Sequence, residues 1–446
     1  MCENMVEQVL VLKEEADFSA GNFERTEWKN GRLMLVSSEN EDTVRGSYTS
    51  PEYRAVAFEE LAVCWNASIP AGCSLEAFAR VRISEQWSHW FSYGKWSVFS
   101  SRSSLSGQDA GRVRMENGVL VIDAPGGADQ FQIRVELTAQ PGAEVPTVSL
   151  LAAGIRAQKV SLDVGDAVQH RVLPSPAYSL HTRDPRLEPM LAGPCTLAML
   201  ANRWGADVLP EEAAYACYDS VLGNCSNPCF AAAFLGCYGL ESYVMYLDCA
   251  GLKKEIKNGC LCAAWMNFSP QEGGSRAVVV RGFETDQDGA EYVFVNDPGC
   301  ADDASTEQRW PLERLRQFWD RMVLVVHGRL DNCDVCAPAR YAGELRPTQI
   351  PGEYALFIRG ERHSIPTDLC TRNGRCTATV CYTVRDEHAY ATTAQKRFYY
   401  TNVTSSGHIW LDTSLMPAGT RLTAYLITDR GNMVTAGLTV EARNDL

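Results

Sequence analysis

The sequence predicts a multidomain β and α+β protein, with a jelly-roll-like β-sandwich first, an α+β domain in the middle and an immunoglobulin-like β-sandwich last. Three observations predict it. The length of 446 residues corresponds to about three domains at roughly 150 residues each, and 46% hydrophobic with 22% charged residues is a globular composition, not a disordered one. Both ends of the chain alternate apolar and polar residues between turn signals, as half-buried strands do. The middle instead places helical runs first and strands afterwards.

The first block, residues 5–172, carries two Asn-Gly pairs, Asn30-Gly31 within Thr26 to Val36 and Asn117-Gly118 within Val113 to Ala124. Asn-Gly between strand-like runs is the strongest short-range hairpin signal, because both residues tolerate the positive φ of a type I′ turn. Gln130 to Leu137 alternates cleanly. The segment Trp87-Ser-His-Trp90-Phe91-Ser-Tyr-Gly-Lys-Trp96 reads either as sandwich core or as a sugar-stacking platform. Trp90 and Trp96 share strand parity and are expected inside, with Trp87 on the other face.

Arg171 to Pro176 is expected to be a linker. In the second block, residues 177–328, Pro194 opens a helix that runs to Arg203-Trp204 and is stopped by Gly205. Pro210 to Tyr218, Pro228 to Gly236 and Gly251 to Lys257 read as further short helices, and Val278 to Phe283, Tyr292 to Asn296 and Met322 to Val326 as strands. A second linker spans Asp331 to Pro347, and in the third block, residues 346–446, regularly spaced strands predict the second sandwich.

Forty-one basic against 55 acidic residues leave a net charge of −14. This is the wrong sign for binding phosphate backbones, so nucleic acid is excluded as a partner. No apolar run reaches the ~18 residues that cross a bilayer, and the N-terminus has no basic region before its short apolar stretch, Val9 to Leu12. The expectation is a cytoplasmic protein with reduced thiols and no cofactor. An odd count of 17 cysteines fits buried small hydrophobes better than a disulfide framework. Cys333 and Cys336 form a C-x-x-C pair, a weak metal signal without two more ligands.

A helix followed by a sheet is the frame on which papain-type chemistry is built. A thiol at a helix N-terminus is acidified by the helix dipole. A histidine on a facing strand takes its proton, and a carboxylate or amide orients that histidine. The middle block resembles the bacterial papain-fold peptidase family C39, in its bacteriocin-processing-like branch. The resemblance is carried in order by Gly193-Pro194-Cys195-Thr196-Leu197-Ala198-Met199, Gly223-Asn224, Gly239-Leu240 with Tyr243-Val244, Ala277-Val278-Val279-Val280-Arg281-Gly282-Phe283, and Val295-Asn296-Asp297-Pro298. Trp87 to Trp90 also resembles a segment of the N-terminal sandwich that many relatives carry, and such relatives are often exported.

The resemblance implies that this chain has lost the family's reactive groups. Where the family has its nucleophile, aligned on Gly193-Pro194, stands Ala192. Arg276 stands where the family has its basic histidine, and Leu180, after Ser179, stands at the oxyanion glutamine. Only the orienting carboxylate, Asp297, is kept. Arginine stays protonated and cannot act as a base, and leucine cannot donate to an oxyanion. The implied protein is a disabled peptidase that still binds a peptide or protein, with an ion pair between Arg276 and Asp297 replacing the reactive dyad. Two alternatives stay open. Cys195, one turn beyond Ala192, could act with His181 as an active hydrolase, or the sandwiches could make the chain a scaffold or a carbohydrate binder. Oligomeric state is not readable.

Overall fold

The computed structural model describes residues 5–329, apart from 37–42, 71, 98–101, 160, 184–186, 207 and 209; beyond residue 329 it describes the backbone of strands between residues 356 and 443. Cys333 and Cys336 lie outside the described residues. The protein is β-rich and multidomain, as the sequence predicts.

Both Asn-Gly pairs turn hairpins. Thr26–Lys29 pairs antiparallel with Arg32–Leu35, and Val113–Glu116 with Val119–Ile122. The turn residues take positive φ throughout, with Asn30 at 54° and Gly31 at 73°, and Asn117 at 49° and Gly118 at 80°. This is the backbone that the Asn-Gly signal anticipates.

The long strand Tyr53–Ser68 organises the N-terminal region. Its first residues pair with Ala128–Ala139 (Gln130 opposite Arg54), and its later ones with Thr147–Ala157 (Leu151 opposite Trp65). It therefore joins two groups of strands. Burial alternates irregularly up to Glu60, then every residue from Leu61 to Ser68 is buried. The cause is a second layer on the outer face, where the helix Pro228–Cys237 and the strand Leu240–Tyr246 of the middle region pack against it. Asn66 seals the contact, donating Nδ2–H to the Ser242 carbonyl at 2.8 Å and accepting the Ser242 N–H at 3.0 Å. Gly236 is required there: a Cβ at this position would come within 2.7 Å of the Asn66 backbone.

In the middle region one antiparallel sheet runs in the order Leu240–Tyr246, Trp319–Arg329, Cys262–Met266, Arg276–Thr285, Glu291–Asn296, Glu307–Pro311. The helix Ala192–Arg203 lies on it, tied by Thr196, whose Oγ1 donates to the Ala277 carbonyl at 3.0 Å. The helices Pro210–Cys217, Pro228–Cys237 and Cys249–Lys257 fall where the sequence places them. Two expectations are corrected. His170–Val172 belongs to an edge strand paired with Gly282 to Glu284, so Arg171 to Pro176 is not simply a linker. Trp90 lies outside any strand and is only half-buried, so parity with Trp96 does not carry it into the core. Trp96 is fully buried and packs edge-on against Trp65.

In the C-terminal region the strands form a five-stranded sheet, ordered Leu356–Ile358, Met433–Arg443, Thr420–Thr428, Cys376–Val384, Lys396–Val403, with a separate pair of Arg362–Pro366 and His408–Asp412.

Candidate functional site

A cavity of about 490 Å³ opens where the N-terminal and middle regions meet. One wall is the second Asn-Gly hairpin, with Glu116, Asn117, Val119 and Val121. The other is the start of the helix, Ala192 and Gly193, with Arg276 and Ala277 on the sheet beside it. The hairpin is held in place at its tip. The Cys229 thiol donates to the Gly118 carbonyl at 3.2 Å, and a Cβ on Gly118 would collide with the Asn227 side chain.

Asn227 in turn caps the helix Pro228–Cys237, accepting the Cys229 and Phe230 N–H groups at 3.1 and 3.2 Å. Its amide leans on Asp219, a fully buried carboxylate that also accepts from Ser104 N–H and the Ser104 hydroxyl. The Asn-Gly turn thus builds a wall of the cleft, and it does so through the neighbouring helix cap.

The four positions singled out by the resemblance come together at one end of the sheet. Ala192, partly exposed, faces the cavity at the first turn of its helix. Arg276 and Asp297 form a bidentate ion pair, with Nε to Oδ1 and Nη2 to Oδ2 both at 2.7 Å. Their side chains are only 10% and 6% exposed. Arg276 Nη1 donates to the carbonyls of Glu272 and Gly274 at 2.8 and 3.3 Å. The guanidinium lies 4.3 Å from the centre of the Phe268 ring, where a cation–π contact adds to the hold. Gly299 leaves room for it, since a Cβ there would sit 2.8 Å from Arg276 Nε. Leu180 joins the same neighbourhood through its N–H, which donates to the Pro298 carbonyl at 2.9 Å.

A bidentate Arg–carboxylate pair of this geometry is a strong, directional interaction. A guanidinium has donors and no acceptor, so it cannot serve as a general base. Arg276 lines the cavity with its charge already paired to Asp297.

The two fallback residues lie elsewhere. Cys195 is fully buried within the helix and does not line the cavity. His181 is a 43%-exposed side chain whose Nδ1 bonds Glu188 at 2.8 Å. Cys300, next to this site, is half-buried, and burial raises its thiol above the usual range.

The far wall of the cavity is acidic, a feature the sequence reading missed. Glu60 accepts from the Tyr246 hydroxyl at 2.8 Å and pairs with Arg156 at 3.0 Å. Burial, against the Met322 N–H that Asp320 accepts at 2.8 Å and helped by the Glu60 charge, pushes its carboxyl up to about 7. Glu60 and Asp320 are 260 residues apart (320 − 60) and sit on different regions, so no local pattern could have joined them.

Two family models match the chain. The peptidase C39 N-terminal domain matches residues 9–155, and the Peptidase_C39-like family matches residues 183–326. No curated protein matches. Among solved structures the chain is similar to the carbohydrate recognition domain of Emp46p, at 11% identity over 31% of this chain and 90% of that one. The TM-score is 0.20. Among the described residues no helix is long and apolar enough to cross a membrane. With the two matched segments lying in order on either side of the cleft, the chain belongs to the peptidase C39-like family.

Proposed function

We propose that the protein is a pseudo-peptidase: a C39-like chain that holds a peptide segment in its cleft without cutting it. The observation that carries this reading is the bidentate, buried Arg276–Asp297 pair beside Ala192. In this reading Ala192, Arg276, Leu180 and Asp297 occupy the nucleophile, base, oxyanion and orienting positions of the family, and the first three can no longer do that work. The cleft is kept, and its volume of about 490 Å³ is in the range of ligand-binding pockets.

The domain reading goes with this function. Residues 5–172 are taken as a jelly-roll-like sandwich, 177–328 as a papain-like domain and 346–446 as an immunoglobulin-like sandwich, with the edge strand His170–Val172 bridging the first two. The cytoplasm is the proposed location. The rival enzyme, built on Cys195, has less support, because a thiol buried inside a helix and away from the cavity cannot meet a substrate there. Carbohydrate binding has less support too. Arg80 lies over both Trp87 and Trp90, 4.7 and 5.0 Å from the ring centres, so the rings are not left as an open platform.

The test is to incubate the full chain with a peptide library and read bound and unbound peptides by mass spectrometry. The reading expects a subset to be retained at full length, and retention to fall at least tenfold in Ala192→Trp, which fills the cleft. Shortened peptides would contradict it, as would retention unchanged by Ala192→Trp.

A further inference from the structure

At the opposite end of the middle sheet, three side chains of different types converge. Glu255 Oε2, Cys260 Sγ and His327 Nε2 or Nδ1 supply ligand atoms that all lie within 4.8 Å of one another. They come from two segments. Glu255 is in the last turns of the helix Cys249–Lys257, and Cys260 follows it across a tight turn at Gly259, φ 88°, in which the Cys260 N–H donates to the Glu255 carbonyl at 3.0 Å. His327 comes from the strand Trp319–Arg329. Leu324 of that strand lines the cleft, so His327 lies about 10 Å further along at ~3.3 Å per residue. This cluster is separate from the cleft.

We infer that Glu255, Cys260 and His327 form a zinc-binding site with a fourth position left for water. The donor set is one cysteine, one histidine and one carboxylate, each of them a ligand type that zinc takes. Tetrahedral zinc sets neighbouring donors about 3.3–3.7 Å apart, given metal–ligand bonds of about 2.0–2.3 Å. The donor atoms, all within 4.8 Å of one another, are at most about 1.5 Å wider apart than this. The histidine is also oriented as zinc histidines are, with its second nitrogen held from behind. Nε2 points at Glu255, 2.8 Å away, while Nδ1 lies 3.1 Å from the Tyr243 hydroxyl and 3.8 Å from Glu241. Glu241 is itself anchored by Lys13 of the N-terminal region at 3.0 Å. The side chains are sheltered, with Cys260 7%, Glu255 12% and His327 25% exposed. Bound there, zinc would clamp the helix Cys249–Lys257 to the sheet.

The test is to strip the full chain with chelator and titrate it with Co²⁺, then displace the cobalt with Zn²⁺. One Co²⁺ per chain is expected, with an intense near-ultraviolet thiolate-to-cobalt band and the visible bands of tetrahedral cobalt. The ultraviolet band should vanish in Cys260→Ser. Affinity should fall at least tenfold in His327→Gln and in Glu255→Gln, which keeps the hydrogen-bonding shape of the site. Circular dichroism of each metal-free variant checks that it has folded. The Cys333→Ser, Cys336→Ser double variant should bind like the parent. Absence of binding would overturn the inference, as would a band that follows Cys333 and Cys336 and ignores Cys260.

Discussion

The two ends of the middle sheet hold charge in opposite ways. At the cleft end, Arg276 sends Nε and Nη2 to Asp297 and Nη1 to two carbonyls. At the other end, the His327 imidazole lies between Glu255 and Glu241 with the Cys260 thiol beside it, and, against burial, its hydrogen bonds to the two carboxylates push it up to about 9. In the first arrangement four of the five guanidinium N–H donors meet acceptors. The second holds a titratable proton on His327, which a metal cation would have to displace. In the reading proposed above, the end of the sheet that resembles an active site is the inert one, and the end without a recognisable motif holds the titratable groups.

The comparison can be broken most forcefully at Arg276. Arg276→Ala leaves Asp297 buried without its cation, a change that costs about 3–5 kcal/mol in buried pairs. Urea unfolding followed by tryptophan fluorescence reads it. A loss below about 1 kcal/mol would mean that the pair is not the lock described here. Replacing both partners by apolar residues of similar size should restore most of the loss.

Asp320 sharpens the contrast, because it is a carboxylate at the cleft end without such a lock. Its native carboxyl is pushed up to about 7, so the folded chain holds the proton more tightly than the unfolded chain. Stability from this group then falls as pH rises from about 4 through 7, and the full cost, up to about 4 kcal/mol, stands above that. Asp320→Asn keeps the acceptor for Met322 N–H and removes the charge. It should raise the melting temperature clearly at pH 8 and little at pH 5. An equal rise at both would sink this account of the acidic wall.

Smaller effects follow away from the sheet. Asn66→Ala strips both hydrogen bonds from Ser242 at the contact between regions, and should cost about 1–3 kcal/mol. Limited proteolysis between residues 160 and 180 should speed up with it. Trp90→Ala removes the contacts with Arg80 and Arg134, at 5.0 and 5.3 Å from the ring centre, for about 0.5–1 kcal/mol. A larger loss would show that the ring belongs to the core after all.

What the sequence made legible follows from how local each signal is. Asn30-Gly31 and Asn117-Gly118 dictate their turns by their own backbone preferences, and the structure has both turns. Pro194 marks the helix, although the helix begins two residues earlier, at Ala192, with no side-chain cap to announce it. The strands Leu240–Tyr246 and Cys262–Met266 are buried on both faces and so show no alternation, which is why periodicity could not find them. Arg276 and Asp297 could be named as partners only through a resemblance to known motifs. Nothing of the kind links His327 to Glu255, 72 positions away, and only the fold brings them together.

The central claim is that the cleft survives and the chemistry does not, and peptide turnover tests it most directly. The native chain and a Leu180→Gln, Ala192→Cys, Arg276→His variant are assayed against the same peptide library. The account predicts no cleavage by the native chain and measurable cleavage by the variant, abolished by a thiol-alkylating inhibitor. Cleavage by the native chain that disappears in Cys195→Ala would contradict it.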